Sequence, residues 1–361
     1  MRTVLLYSII AAFLLPVTST ATEPNLKGKH TKEKTIHKEF NVDDNATLRV
    51  ANSYGDLDIT TWNENRIVMD VIITTNGNNE DKVQRRLDDI DVDFSSSSEW
   101  VSAETTFKNR KSKSWWNWGN DNVSMTIDYV IKMPMTNNVK LSNDYGAINL
   151  DKLEGRAEIN CDYGKITTKE LMASNNQFNF DYTNDSYFEY IEGGKINADY
   201  SSYTVGKAKN LEIVADYTKS IIEIAEDVSY NCDYGSMKID NANNVRGNGD
   251  YLTLRMGTIY KNVEVKGDYG SFKIDKMTAN AGDVNVESDY MKITIGYDPS
   301  YNFEFDINLE YAGLRGAEDF EMVKQRIKSG DKYYFGYHGD SNTSNRILIN
   351  SEYGSVTFKR N

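Results

Sequence analysis

An acid followed by a tyrosine recurs along this chain at a nearly constant interval. DY or EY stands at Tyr145, Tyr163, Tyr182, Tyr200, Tyr217, Tyr234, Tyr251, Tyr269, Tyr290, Tyr311 and Tyr353, and SYG at Tyr54. From Tyr145 to Tyr311 the steps are 18, 19, 18, 17, 17, 17, 18, 21 and 21 residues. NCDYG, at 160–164, returns unchanged at 231–235. So regular a period means that each copy is one small unit, unable to bury its own apolar face, that stacks on the next. The last interval, 42 residues, is twice 21 and predicts a copy near Tyr333 that has lost its signature.

Within one copy, VSYNCDYGSMKID at 228–240, Val228, Tyr230, Cys232 and Tyr234 alternate onto one face of a strand. Gly235 breaks the run, and Met237 and Ile239 resume it. Each copy therefore contributes two short strands meeting at a corner. Stacked in parallel, they predict an all-β fold: a parallel β-solenoid (β-helix) of about ten coils of 17–21 residues, roughly 45–50 Å long. Two residues before the tyrosine stand mostly small side chains (Cys161, Ala198, Ala215, Cys232, Gly249, Gly267, Ser288), which would leave room for an inward-facing ring.

The ends break the pattern. Residues 79–90 place Val83, Leu87 and Ile90 on one helical face, and 318–328 (EDFEMVKQRIK) also reads as a short helix. The expected organisation is a signal peptide over 1–21 and a basic, solvated tail over 22–38. An N-terminal β-rich cap and first coil with one short helix and a Trp-rich loop follow over 39–135. The β-solenoid runs over 136–361, with an insertion near 313–345.

The start, MRTVLLYSIIAAFLLPVTSTATEP, reads as a cleavable secretory signal, and no later stretch is apolar enough for a spanning helix. An exported chain of a Gram-negative bacterium, in the periplasm or on the cell surface, is the expectation. With 54 acids against 41 Lys and Arg, the net charge of −13 disfavours nucleic acid as a partner. The two cysteines, Cys161 and Cys232, occupy the same repeat position four coils apart. At about 19 Å they are beyond disulfide reach, so they are expected as buried free thiols.

Three constellations could carry chemistry. The acids before the tyrosines should face outward in a column. Calcium would need six to eight oxygens, so the plainer reading is that each Asp caps its own corner, as in Asp162-Tyr163-Gly164, Asp233-Tyr234-Gly235 and Asp268-Tyr269-Gly270. Lys165, Lys219, Lys238, Lys273 and Lys292 would soften the repulsion, and the glycine after the tyrosine suggests a positive φ there. The tyrosines share a face with the aliphatic residues, which predicts a buried aromatic ladder. Trp115, Trp116 and Trp118, in the polar loop KSKSWWNWGNDN, are the candidate ligand-binding residues. The three histidines, His30, His37 and His338, are too dispersed for a triad or a multi-histidine metal site, so neither catalytic residues nor a cofactor or metal are expected.

The segments LRVANSYGDLDITTW (48–62) and YVIKMPMTNNVKLSNDYGAINLD (129–151), with the DYGxIxI units that follow, resemble the bacterial adhesin-like family with β-strand repeats, a domain of unknown function. The resemblance spans nearly the whole chain after the signal. It implies a single-stranded β-helix and an exported envelope protein, and brings no catalytic residues. Three functions are therefore in view. The first is a non-enzymatic, adhesin-like protein presenting loops to a glycan or an envelope protein. The second is a periplasmic structural or envelope-stress component, and the third a polysaccharide-acting β-helix enzyme using carboxylates.

Overall fold

Period-two alternation of Ile, Val, Leu and Phe with polar residues dictates strands buried on one face, and strands dominate the structure. The computed structural model describes residues 27–108 and 122–361; the signal expected over 1–21 and Trp115, Trp116 and Trp118 lie outside the described residues. The fold is all-β: among the described residues, 27 strands join in one hydrogen-bonded sheet system that does not close, and the one helix is Glu80–Asp89.

Two parallel ladders run through the repeats. In the first, the segment before each tyrosine pairs in register with its counterpart, so that Asp144, Asp162, Asp181, Asp199 and Asp216 are direct partners in turn. In the second, the segments after each tyrosine do the same: Ile148 pairs with Ile166, Leu254 with Phe272, and Phe272 with Ile293. Strands such as Ser202–Asp216 and Lys219–Asn231 bend and belong to both ladders. The inner faces of the two ladders form one continuous core. Large and small residues alternate along it: in register, Tyr230 lies opposite Gly247, where any Cβ would meet the Tyr230 ring at 2.5 Å.

Spatial order departs from chain order at both ends. The strand Thr47–Ser53 sits between Trp100–Phe107 and Asn138–Asp144, so the cap is threaded into the ladder. At the other end, Arg346–Glu352 inserts between Val284–Asp289 and Phe303–Glu310. This insertion accounts for the 42-residue interval. No copy is missing near Tyr333; residues 321–338 instead form an antiparallel hairpin laid on Phe303–Glu310.

Two further expectations are corrected. EDFEMVKQRIK is no helix: Glu321–Ile327 is a strand, because its apolar residues have only the strand Asp331–His338 to lie beside. Nor are the basic residues a solvated tail. His30–Asn41 pairs over twelve positions with Arg66–Gly77, and its half-buried lysines lay their stems along the helix side of the sheet, Lys34 Nζ donating to the Ile90 carbonyl at 2.6 Å. The other helix forms as expected: Asn79 caps it by accepting from the Lys82 N–H, and Val83 and Leu87 are buried. Cys161 and Cys232 are free and buried, and burial pushes both thiols up to about 12.

Candidate functional site

The repeat alternates as expected up to the tyrosine and then departs from expectation. Val228, Tyr230 and Cys232 are 2–4% exposed, whereas Tyr234 is 47% exposed. The cause lies in the backbone. All twelve repeat tyrosines, from Tyr54 to Tyr353, adopt positive φ between 49° and 68°, the left-handed conformation that L-residues with large side chains seldom take. One left-handed residue between two strands reverses the expected parity, so the ring leaves the core and the next residue enters it. Leu252, Met291, Thr183, Ser201 and Thr218, each directly after a tyrosine, are buried. The corner glycines Gly164, Gly235 and Gly270 occupy this inward position and have no positive φ. The expected buried aromatic ladder is therefore an exposed one, and the left-handed residue is the tyrosine.

Outside the core the rings form one unbroken stack. Neighbours from Tyr54 through Tyr145, Tyr163 and on to Tyr290 lie 4.7–5.2 Å apart, centroid to centroid, and within 9° of parallel. The stack then continues to Tyr353 and ends at Tyr311, following the inserted last copy rather than chain order. Gly330 lies against the Tyr311 ring. Stacked in parallel, the rings shield one another's faces and turn a row of edges to solvent.

Except at Tyr311, whose N–H donates to the Gly330 carbonyl, each tyrosine N–H donates to the carbonyl of the acid in the neighbouring row, for example Tyr217 to Asp233 at 3.1 Å and Tyr234 to Asp250 at 3.0 Å. The acids form a second chain of bonds. Oδ1 of Asp162 accepts from the Asp181 N–H at 3.2 Å. The pattern repeats through Asp181, Asp199, Asp216, Asp233, Asp250 and Asp268, which accepts from Asp289 at 2.8 Å. These carboxylates thus cap the neighbouring row, not their own turn. Charge-assisted bonds to N–H groups offset their repulsion. The expected lysines are engaged elsewhere in part: Lys238 pairs with Asp240 at 2.7 Å and Lys273 with Asp275 at 2.5 Å. At the ends of the column the crowding persists. Burial, then the Asp162 charge, raises Asp144; the charges of Asp289 and Glu310, then burial, raise Glu352.

Beside the acid row the outer face of the first ladder carries two shallow grooves running across the strands. One, of about 1020 Å³, is lined by residues including Gln177, Lys195, Glu212, Ser229 and Arg246. The other, of about 550 Å³, is lined by residues including Asn231, Asn248, Lys266, Asp250 and Asp268. Asparagines ladder along this face: Asn179 donates to Asn160 at 2.9 Å, Asn197 to Asn179 at 2.7 Å, and Asn248 to Asn231 at 2.6 Å. His30 and His37 lie on the first strand, while His338 is buried at the far end with Nδ1 2.8 Å from the Tyr301 carbonyl oxygen. Among the described residues, no group of three or more His, Cys, Asp or Glu is placed to hold a metal ion.

No family model matches the chain, and no curated protein matches it in sequence. Solved structures are similar at low identity. A candidate cell adhesion protein from Clostridium sporogenes is 12% identical, with 92% of this chain and 100% of that one covered and a TM-score of 0.20. A candidate adhesin from Parabacteroides merdae is 13% identical (73% and 96% covered, TM-score 0.37), and one from Parabacteroides distasonis 10% identical (73% and 97%, TM-score 0.34). Likeness at these TM-scores establishes neither fold nor function.

Two outcomes follow from the stack. At Tyr217, Asn tolerates the left-handed backbone whereas β-branched Val does not. In urea unfolding, Tyr217→Val should be less stable than Tyr217→Asn by about 1–2 kcal/mol, although Val is the better strand former; equal stabilities would contradict the assigned backbone. Tyr163, Tyr200, Tyr234, Tyr269 and Tyr353 are held above the ordinary phenol value. Desolvation by neighbouring structure comes first, then the adjacent tyrosines and acids that a phenolate would face. The unfolded chain sheds these protons near pH ~10, before the folded chain does. Their contribution to stability is therefore complete below that pH and is lost as pH rises through the folded values. Unfolding midpoints should fall as the tyrosinate absorbance rises above pH ~10, and the folded chain should ionise later than the denatured one.

Proposed function

We propose that the chain is a single-stranded β-solenoid, exported to the cell envelope, that acts without catalysis as an adhesin-like binding protein for a linear polysaccharide. The observation carrying this reading is the exposed stack of twelve tyrosines, repeating every 4.7–5.2 Å beside a parallel row of acids. Continuous in-register pairing of both ladders supports the solenoid.

A surface with one short period along its whole length suits a ligand with the same period. An extended peptide advances about 3.3 Å per residue and returns to the same face after two, so it falls out of step. An extended β-linked pyranose chain advances by about one row per sugar. The rings offer edges and not faces, so recognition would rest on hydrogen bonds among phenols, carboxylates, asparagines and sugar hydroxyls rather than on ring stacking. The acid row and the net charge of −13 favour neutral or amino-bearing glycans and disfavour anionic ones.

Co-sedimentation with insoluble β-linked glucan and with chitin tests this reading. The wild-type chain should bind at least one of them. Tyr200→Asn/Tyr217→Asn/Tyr234→Asn, which keeps the backbone permissible, should bind at least about tenfold more weakly, the loss of roughly 1.4 kcal/mol. Trp115→Ala/Trp116→Ala/Trp118→Ala should bind as wild type. Loss in the tryptophan variant alone would move the site to that loop, and no binding to either polymer would reject the glycan.

A further inference from the structure

The sheet system ends in exposed edges that are built differently. At the N-terminal end, among the described residues, His30–Asn41 and Ile90–Ser96 each pair on one side only, and both carry charge along their length: Lys32, Glu33, Lys34 and Lys38 on one, Asp91 and Asp93 on the other. Such edges discourage pairing with another chain. At the far end, Glu321–Ile327 pairs, among the described residues, only with Asp331–His338, and every residue in it is exposed. Val323 and Ile327 are 64% and 61% exposed, and Met322 is exposed beside them.

We propose that Glu321–Ile327 pairs antiparallel with the same strand of a second copy of this chain, about a twofold axis through Gln325. The register follows from a β-bulge. Met322 pairs with Gly336 and Lys324 with Phe335, which leaves Val323 as the extra residue. With Val323 left out of the count, Glu321, Lys324, Arg326 and Lys328, the residue after the strand, whose N–H donates to the Asp331 carbonyl at 2.9 Å, fall on one face, and Met322, Gln325 and Ile327 on the other. Antiparallel pairing about Gln325 then sets Glu321 opposite Lys328 and Met322 opposite Ile327, each twice, always on the same face. Without the bulge, the acid and the lysine, seven residues apart, would point to opposite faces.

The charges fit this partner. Arg326 already pairs with Asp331 at 3.2 Å, and Lys324 lies over the Tyr333 ring at 5.7 Å, so these two cations are engaged where they face each other across the axis. Glu321 and Lys328 have no ion pair among the described residues, and this register supplies one to each. A pairing of this kind is closed and stops at two copies.

Sedimentation over a concentration series, with the full chain, tests the register by charge reversal. Both substituted side chains, Glu321 and Lys328, are exposed, so folding is expected to survive, and circular dichroism checks it. The wild type should dimerise. Glu321→Lys and Lys328→Glu alone should each dimerise on the order of tenfold more weakly, since two pairs turn repulsive. An equimolar mixture of the two single variants should recover dimers, because each lysine then faces a glutamate, as should the double swap Glu321→Lys/Lys328→Glu. A monomeric wild type, or a dimer indifferent to the single reversals, would overturn the proposal.

Discussion

Everything distinctive in this molecule depends on one tyrosine per repeat holding a left-handed backbone. That conformation costs about 1–2 kcal/mol at each corner. Two local gains oppose it: a ring stacked between two others, worth about 0.5–1.5 kcal/mol per contact, and an N–H donated to the acid of the neighbouring row. Both gains exist only if the adjacent row makes the same corner. The tyrosine thus converts a local strain into a demand for regular stacking. This explains why the residue is kept while the rest of each repeat drifts and the spacing varies from 17 to 21 residues. Length differences are taken up between corners, where a longer turn leaves the stack untouched.

The same constraint orders the ends. The last copy enters the stack between Tyr290 and Tyr311 rather than beyond it, and the aromatic residues of the terminal region close the core beneath: Tyr297 and Phe320 meet His338 edge to face, while Phe303 stacks on His338 and Phe358. A stack of rings needs something at each terminus. At the Tyr311 end Gly330 supplies it, and the threading of later segments back makes chain order and spatial order part company at both caps.

Much of the fold was legible in the residues. Spacing alone implies strand pairs stacked in parallel, and alternation assigns Ile213, Cys232, Met237 and Ile239 to the core, where they are. Alternation fails at the tyrosine because it assumes extended backbone straight through the corner. A clue was nevertheless present: the position after the tyrosine varies among Gly, Ser, Thr, Leu, Met and Ala, as a core site of changing width would, whereas the tyrosine never varies. A ring packed among different core neighbours would not need such constancy; a ring stacked on its own kind does. The basic strand His30–Asn41 was hidden because its lysines mask a strand with Ile36 and Phe40 turned inward. The hairpin at 321–338 was hidden because Phe320, Val323 and Ile327 also fit helical spacing, and only the partner strand decides between the two.

The outward turn of the tyrosines is the central claim, and nuclear Overhauser contacts from selectively protonated tyrosine rings in a deuterated chain test it most directly. The Tyr217 ring should show contacts to the rings of Tyr200 and Tyr234, none to the methyls of Ile213 and Ile222, and strong broadening by a soluble paramagnetic agent. Contacts to those methyls, with protection from the agent, would place the ring in the core and contradict the account.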